Sequence, residues 1–400
     1  MYTLLSRKIL LCCLTKESCY SLFFKKTKNP LKKFCNISNM ANQTIIQKST
    51  EQSQHIVASA PFQTLQDLPI SLPCSQCVLY KHEILICGGY DRRACYSYHT
   101  LKNEYKFICE YPSDITLLGH CVVKLANKNK KDSNKITLLS FGGSHQHTLM
   151  MKYANVWNDD NKLKKLNHYN QWIPFTDNHN HPVHIEEDYN NFKGLSALIG
   201  GSNNHLLFIA YFIHNISVFD LNTFQFIKHD TLPIRDLIEY PCFVSNSENG
   251  QGQEIMKTNK KKNYEMLLFC KKGGLLIEYD EDNNNFQFHK LPVCKDIAPL
   301  SEYAYVRVND TILFFGGYGQ SASKSVHKYS IKEKKWITFK DMFVPLCNCF
   351  GILNEDNTYI HIVGGYHIKY SIFTHIKIKL SELIDPPQLV SFLFFLYLNT

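Results

Sequence analysis

ILICGG (Ile84 to Gly89), LLSFGG (Leu138 to Gly143), ILFFGG (Ile312 to Gly317) and IHIVGG (Ile360 to Gly365) are four versions of one edge, a largely apolar run closed by a glycine pair. Two further runs, LLFIAY (Leu206 to Tyr211) and LLFCKK (Leu267 to Lys272), keep the apolar stretch and lose the glycines, with Ala210 and Lys271 standing where the first would fall. The nearby pairs Gly200-Gly201 and Gly273-Gly274 are assigned to turns. A self-similar period of roughly 45 to 70 residues points to radial or stacked repetition and away from an α/β core.

A second landmark follows each edge. Tyr98 precedes Tyr105, Phe219 precedes Phe226, Tyr279 precedes Phe286 and Tyr329 precedes Trp336, each by seven positions, and Trp157 leads to Trp172 across an insertion. The residues between are turn-forming Asp, Asn, Lys and Glu, so each aromatic pair reads as a hairpin. Pro112, Pro233, Pro292 and Pro345 follow at nearly fixed distances; proline donates nothing to a ladder, so it ends the outer strand. Each unit is therefore four strands: an apolar stretch such as Cys77 to Tyr80, the edge strand, and the aromatic hairpin.

These landmarks resemble the kelch repeat family, whose units place Gly-Gly at a strand end, then a Tyr-Asp-like pair, then Trp about seven residues on. The resemblance runs from Phe62 to about Leu380 and implies an all-β, six-bladed kelch-type β-propeller with one four-stranded blade per repeat. The sixth repeat (Cys347 to Leu380) stops without an outer aromatic strand. FQTLQDLP (Phe62 to Pro69) holds an aromatic seven residues before a proline, as Tyr105 and Pro112 do, so an N-terminal strand is expected to close the ring and remove two sheet edges. The domains expected are a basic extension at 1-60, the propeller at 61-382 and an apolar non-repeat tail at 383-400.

Of the formal net charge of +9, residues 1-60 carry nine Lys or Arg against two Glu, which leaves +2 for the rest. That is too little for a nucleic-acid footprint over the propeller. Residues 1-33 have the composition of a mitochondrial-type presequence, and Met40 opens a polar lead-in that would suit an alternative start. The apolar runs Leu10 to Leu14 and Leu389 to Leu398 are too short to span a bilayer. Fifteen cysteines, an odd number with several in expected inner strands, read as free thiols of a reducing compartment, which makes a cytoplasmic location the expectation and a mitochondrial one the alternative. Cys74 and Cys77 have the spacing of half a zinc site, but no second half follows.

No phosphate-cradling loop, nucleophile elbow or metalloprotease helix is present, so no catalytic residues, cofactor or metal are assigned. DNHNHPVHIEED brings His179, His181 and His184 near Glu186, Glu187 and Asp188, and is read as a polar surface loop. Insertions at Asn127 to Lys135 and Ser245 to Asn263 fall between the first and second strands of their units. The resemblance implies binding through the loops of one face. There the chain offers Arg92, Arg93, His145, His147, Lys324, His367 and Lys369 after the edges, and His120 and Arg235 between blades. A mildly basic rim of this kind suits an acidic protein or peptide partner. The alternative is a propeller enzyme, similar to galactose oxidase, with a metal in the central channel.

Overall fold

The computed structural model describes residues 62-126, 135-157, 169-185, 191-246, 263-339, 341-367, 370-371 and 373-384. They form six antiparallel sheets arranged as the blades of a β-propeller. Blade 6 is completed by β1 (Phe62–Thr64), and blade 1 follows as β2 (Gln76–Tyr80), β3 (Glu83–Gly89), β4 (Arg92–His99) and β5 (Glu104–Glu110). Blade 2 contains β6 (His120–Leu125), β7 (Lys135–Gly142), β8 (Thr148–Ala154) and β9 (Ile173–Pro174), and blade 3 contains β10 (Ser196–Gly200), β11 (Leu206–Tyr211), β12 (Asn215–Asp220) and β13 (Gln225–Thr231). Blade 4 comprises β14 (Cys242–Ser245), β15 (Asn263–Cys270), β16 (Gly273–Asp280) and β17 (Asn285–Lys290), and blade 5 comprises β18 (Ala304–Val308), β19 (Thr311–Phe315), β20 (Val326–Ser330) and β21 (Lys335–Thr338). Blade 6 has β22 (Cys347–Leu353), β23 (Tyr359–His367) with the short β24 (Tyr370–Ser371) beside it, and β25 (His375–Lys379), against which β1 pairs as outer strand.

The seven-residue aromatic interval has a simple structural meaning. Tyr98 and Tyr105, Phe219 and Phe226, Tyr279 and Phe286, and Tyr329 and Trp336 are direct cross-strand partners of the third and fourth strands. Their ring centroids lie 4.9 to 5.2 Å apart, within the range where aromatic pairs gain energy beyond simple burial. In blade 6 the slot is filled from the other end of the chain, because Phe62 pairs with Ile378 as Tyr105 pairs with Tyr98. Blade 2 departs from the expectation. By register its third-strand slot belongs to Met151, paired with Leu138 as Tyr98 is with Ile84; Tyr153 stands two residues further along β8, Trp157 lies beyond the end of β8, and Trp172 precedes β9 and stacks on Tyr111 of blade 1 at 4.5 Å.

Second strands are buried on both faces, which is why they read as unbroken apolar runs. In β11, Leu206, Phe208 and Ala210 pack towards blade 4 while Leu207, Ile209 and Tyr211 pack towards blade 2. Each blade-to-blade boundary holds one apolar cluster of this kind among the described residues, including that between blades 6 and 1, where Ile352 and Val363 meet Leu68, Leu72, Ile84 and Tyr98. Leu383 and Ile384 join the cluster between blades 5 and 6, so the propeller core extends past residue 382.

The glycine pairs sit where one blade is fastened to the next. A Cβ on Gly88, Gly142, Gly316 or Gly364 would lie 2.1 to 2.4 Å from Leu117, Leu195, Leu346 or Leu72, each a residue leading into the following blade. All four have positive φ, so both space and backbone conformation demand glycine. In blade 4, Lys271 takes the left-handed conformation itself in the β15–β16 turn, and Gly273-Gly274 open β16; Gly200 ends β10 and Gly201 stands in the turn after it.

Gly364→Ala at the closing seam is expected to lower unfolding stability in urea by about 2 to 4 kcal/mol, against well under half of that for Gly319→Ala, where φ is not positive and the nearest contact is a leucine methyl. Trp336 seals blades 4 and 5, donating its indole N–H to Pro292 O at 2.7 Å and lying against Phe269 and Phe314. Trp336→Ala should cost about 3 kcal/mol in the same measurement.

Candidate functional site: the loop face and channel mouth

Loops from second to third strands and connections between blades reach the same end of the propeller. At its centre the chain enters each blade through one left-handed residue: Cys74, Gly119, Gly194, Tyr240, Glu302 and Asn348, with φ between 51 and 70°. Backbone bonds link these entries around the channel. Cys74 N donates to Asn348 O, Asn348 N to Glu302 O, Tyr240 N to Gly194 O and Gly194 N to Gly119 O, at 2.7 to 2.9 Å.

Side chains then cap this ring. Cys74 Sγ donates to Asn348 Oδ1 at 3.1 Å, and Asn348 Nδ2 donates to Glu302 Oε2 at 2.8 Å. Burial, with Glu302 adding to it, pushes the Cys74 thiol far above the ordinary thiol range, so it is no thiolate nucleophile. On the other half, the Tyr240 ring lies over Gly119 and Gly194, where a Cβ would come within 2.9 Å of it. Deeper in, Tyr305 Oη and Ser196 Oγ meet at 3.2 Å between blades 5 and 3.

Around the cap stand the residues expected to form a rim. Arg92, His145, Arg235 and Lys324 are exposed, from blades 1 and 2, the 3-to-4 connection and blade 5. Arg93 is half-buried and lies 3.9 Å from Glu110. His367 ends β23, and Lys369 lies outside the described residues. The exposed cations are interleaved with acids: Asp91 precedes Arg92, and Asp236 follows Arg235 and accepts the Lys272 N–H.

His120 and His147 are not rim residues. They are 1% and 5% exposed, between blades 1 and 2. His147 Nε2 bonds Ser140 Oγ at 2.8 Å, Tyr111 donates to the same hydroxyl at 3.0 Å, and His120 Nε2 donates to Cys87 O at 3.2 Å. A matching layer at the closing seam runs from Tyr105 through His375 to His361, at 2.5 and 2.8 Å. Nothing in the repeat pattern marks these histidines as internal. Their signal was position: His120 opens β6, and His361 and His375 lie in apolar strands.

The described cysteines are all free, and most are buried. Cys87, Cys95 and Cys109 are successive cross-strand partners, and Cys77 is buried in the seam between blades 6 and 1. Asp177, His179 and His181 of the loop between β9 and β10 come together; His184 does not join them, and Glu186 to Asp188 lie outside the described residues. The two insertions join first and second strands, on the opposite end, and their interiors also lie outside the described residues. No helix among the described residues is long and apolar enough to cross a membrane.

No family model matches this chain, and no curated protein does. Among solved structures it is similar to that of YjhT, with a TM-score of 0.53 at 12% identity over 78% of this chain and 95% of that one. The chain is a β-propeller. At that identity the likeness fixes the fold alone, so function has to come from this chain's own loops.

Burial drives His120 and His361 down to about 3 and His147 to about 4, and holds His375 well below its usual value. They are neutral in the folded state, whereas in the unfolded chain they titrate near 6.5, so below that pH the unfolded state binds more protons. Their contribution is complete above about pH 6.5 and is lost as pH falls towards the folded values, by about 1.4 kcal/mol per pH unit for each uncoupled histidine. Glu83, raised mainly by burial, acts in the opposite direction in the carboxylate range. Urea midpoints are expected to drop steeply from pH 7 to 5; equal midpoints would mean that these histidines are not buried neutral.

Proposed function

We propose that this protein is an interaction module that holds a protein or peptide partner, acidic in character, on the loop face of its propeller. The observation that carries the reading is that Arg92, at the start of β4, and His145, Arg235 and Lys324, on loops, are exposed at that one end, from separate parts of the ring. Loops on a rigid scaffold are the usual carriers of binding, and cations spread around a rim favour an extended acidic segment over a small ligand.

The resemblance to kelch repeats supports the same reading, since such propellers engage peptides at this end. It is also supported by the channel mouth, where Cys74, Asn348, Glu302 and Tyr240 occupy the centre and leave the outer loops accessible. An enzyme similar to galactose oxidase would hold a metal over the channel. Among the described residues, the grouped metal-ligating side chains lie instead on the loop between β9 and β10. On this reading the protein is a scaffold or substrate-recognition subunit of the cytoplasm, with the propeller enzyme as the alternative.

The test is affinity capture with the full chain beside Arg92→Glu/Arg235→Glu/Lys324→Glu, a variant that leaves the buried histidines and the Arg93–Glu110 pair intact. A partner retained by the wild type and lost from the variant, with binding weakened by rising salt, is the expected result. Equal capture by both would remove the basic rim from the binding surface.

A further inference from the structure

The connection from blade 2 to blade 3 carries Asp177-Asn178-His179-Asn180-His181, a tight turn. We propose that Asp177, His179 and His181 form a binding site for one divalent first-row transition ion of the zinc or nickel kind.

The two oxygens of Asp177 have different tasks. Oδ1 accepts the backbone N–H groups of His179 and His181, at 2.8 and 2.9 Å. Oδ2 faces both imidazoles, 3.3 Å from His181 Nδ1 and 3.9 Å from His179 Nδ1. The three candidate ligand atoms lie within 4.8 Å of one another. Ligands about 2.0 to 2.2 Å from a tetrahedral ion stand about 3.3 to 3.6 Å apart. The contraction required is therefore small, and the histidine side chains, 80% and 77% exposed, are free to make it by rotation. Two imidazole nitrogens and a carboxylate oxygen suit zinc or nickel, with water completing the shell.

The turn is also built before any ion arrives. Asp177 N donates to His181 O, Asn180 N donates to Asp177 O, and Asn180 takes the left-handed conformation with φ of 65°. Thr176 and Pro182 form a bridge at its base, and Val183 N donates to Phe175 O. Phe175 is buried against Phe224 of blade 3, with ring centroids 5.8 Å apart, and Ile185 N donates to Thr148 Oγ1 of blade 2 at 3.0 Å. Both ends of the turn are thus pinned to the propeller. An ion does not have to order the loop in order to bind, which removes a main cost of ligand capture by surface residues. His184, three residues on, lies outside the group and serves as an internal control.

The experiment uses the full chain, stripped with chelator and titrated with zinc chloride and separately with nickel chloride by calorimetry. Wild type, His184→Ala, Asp177→Asn and His179→Ala/His181→Ala are compared, with thermal unfolding of each metal-free protein as the check on folding. The expected result is one ion per chain bound by wild type and by His184→Ala, weakened at least about tenfold in the other two. Ions held elsewhere, by cysteines for example, persist in the double variant and are subtracted. If wild type binds no more ions than the double variant, or the affinity of the difference site changes less than tenfold, the proposal is overturned.

Discussion

The close approach of the glycine pairs to the neighbouring chain entries sets the geometry of the ring. The first glycine of each pair abuts the entry to the next blade, and the second abuts the entry to its own: Gly89 faces Pro73 O, Gly143 faces Leu118 O, Gly317 faces Ser301 O and Gly365 faces Cys347 O, at 2.8 to 3.2 Å from a notional Cβ. Those carbonyls belong to the residues immediately before the left-handed ring. One dipeptide therefore fixes the angle at which two chain segments enter the centre. Side chains at either position would push the entries apart and open the channel. The same contact explains why the closing seam needs no special device, because Gly364 meets Leu72 as Gly316 meets Leu346.

Blades 3 and 4 show what replaces the glycines when they are absent. Tyr211 stacks on Phe192 at 4.6 Å, so an aromatic face fills the space that a closer backbone would have taken. In blade 4 the Cys270 thiol donates to Leu237 O at 3.4 Å. Side-chain volume and a weak thiol bond stand in for backbone proximity. This tolerance accounts for a repeat whose apolar strand persists in six copies while its punctuation persists in four.

Much of this architecture was legible because it rests on periodicity. Seven residues separate two positions that face each other across a hairpin, and that spacing holds whatever aromatic fills them. It failed in blade 2, where Trp157 drew attention by its size although Met151 sits opposite Leu138 in the slot; no aromatic marks that position, and the intervening insertion removed the interval that would have located it. The closing strand was legible for the opposite reason, since an orphan aromatic and proline at one end matched a missing strand at the other. Histidines were the least legible residues. A sequence records the polarity of His120 and His147 but not Cys87 O and Ser140 Oγ, which partner their Nε2 atoms, so burial was hidden. Asp177 was overlooked beside the more conspicuous histidines because its role depends on which oxygen the turn consumes.

The left-handed ring bears on where function can reside. Glycine is the low-strain choice at such positions, and Gly119 and Gly194 use it; Cys74, Tyr240, Glu302 and Asn348 accept a backbone cost on the order of 1 kcal/mol each. That strain places three polar side chains in one hydrogen-bonded line and an aromatic ring over the two glycines. Glycines at 119 and 194 are in turn required by the ring above them, since a Cβ on Gly119 would approach Tyr240 Oη to 2.9 Å. The entries are thus arranged so that the protein fills its own channel mouth. On the proposed function, binding falls to the surrounding loops, where Arg92, Arg235 and Lys324 are exposed.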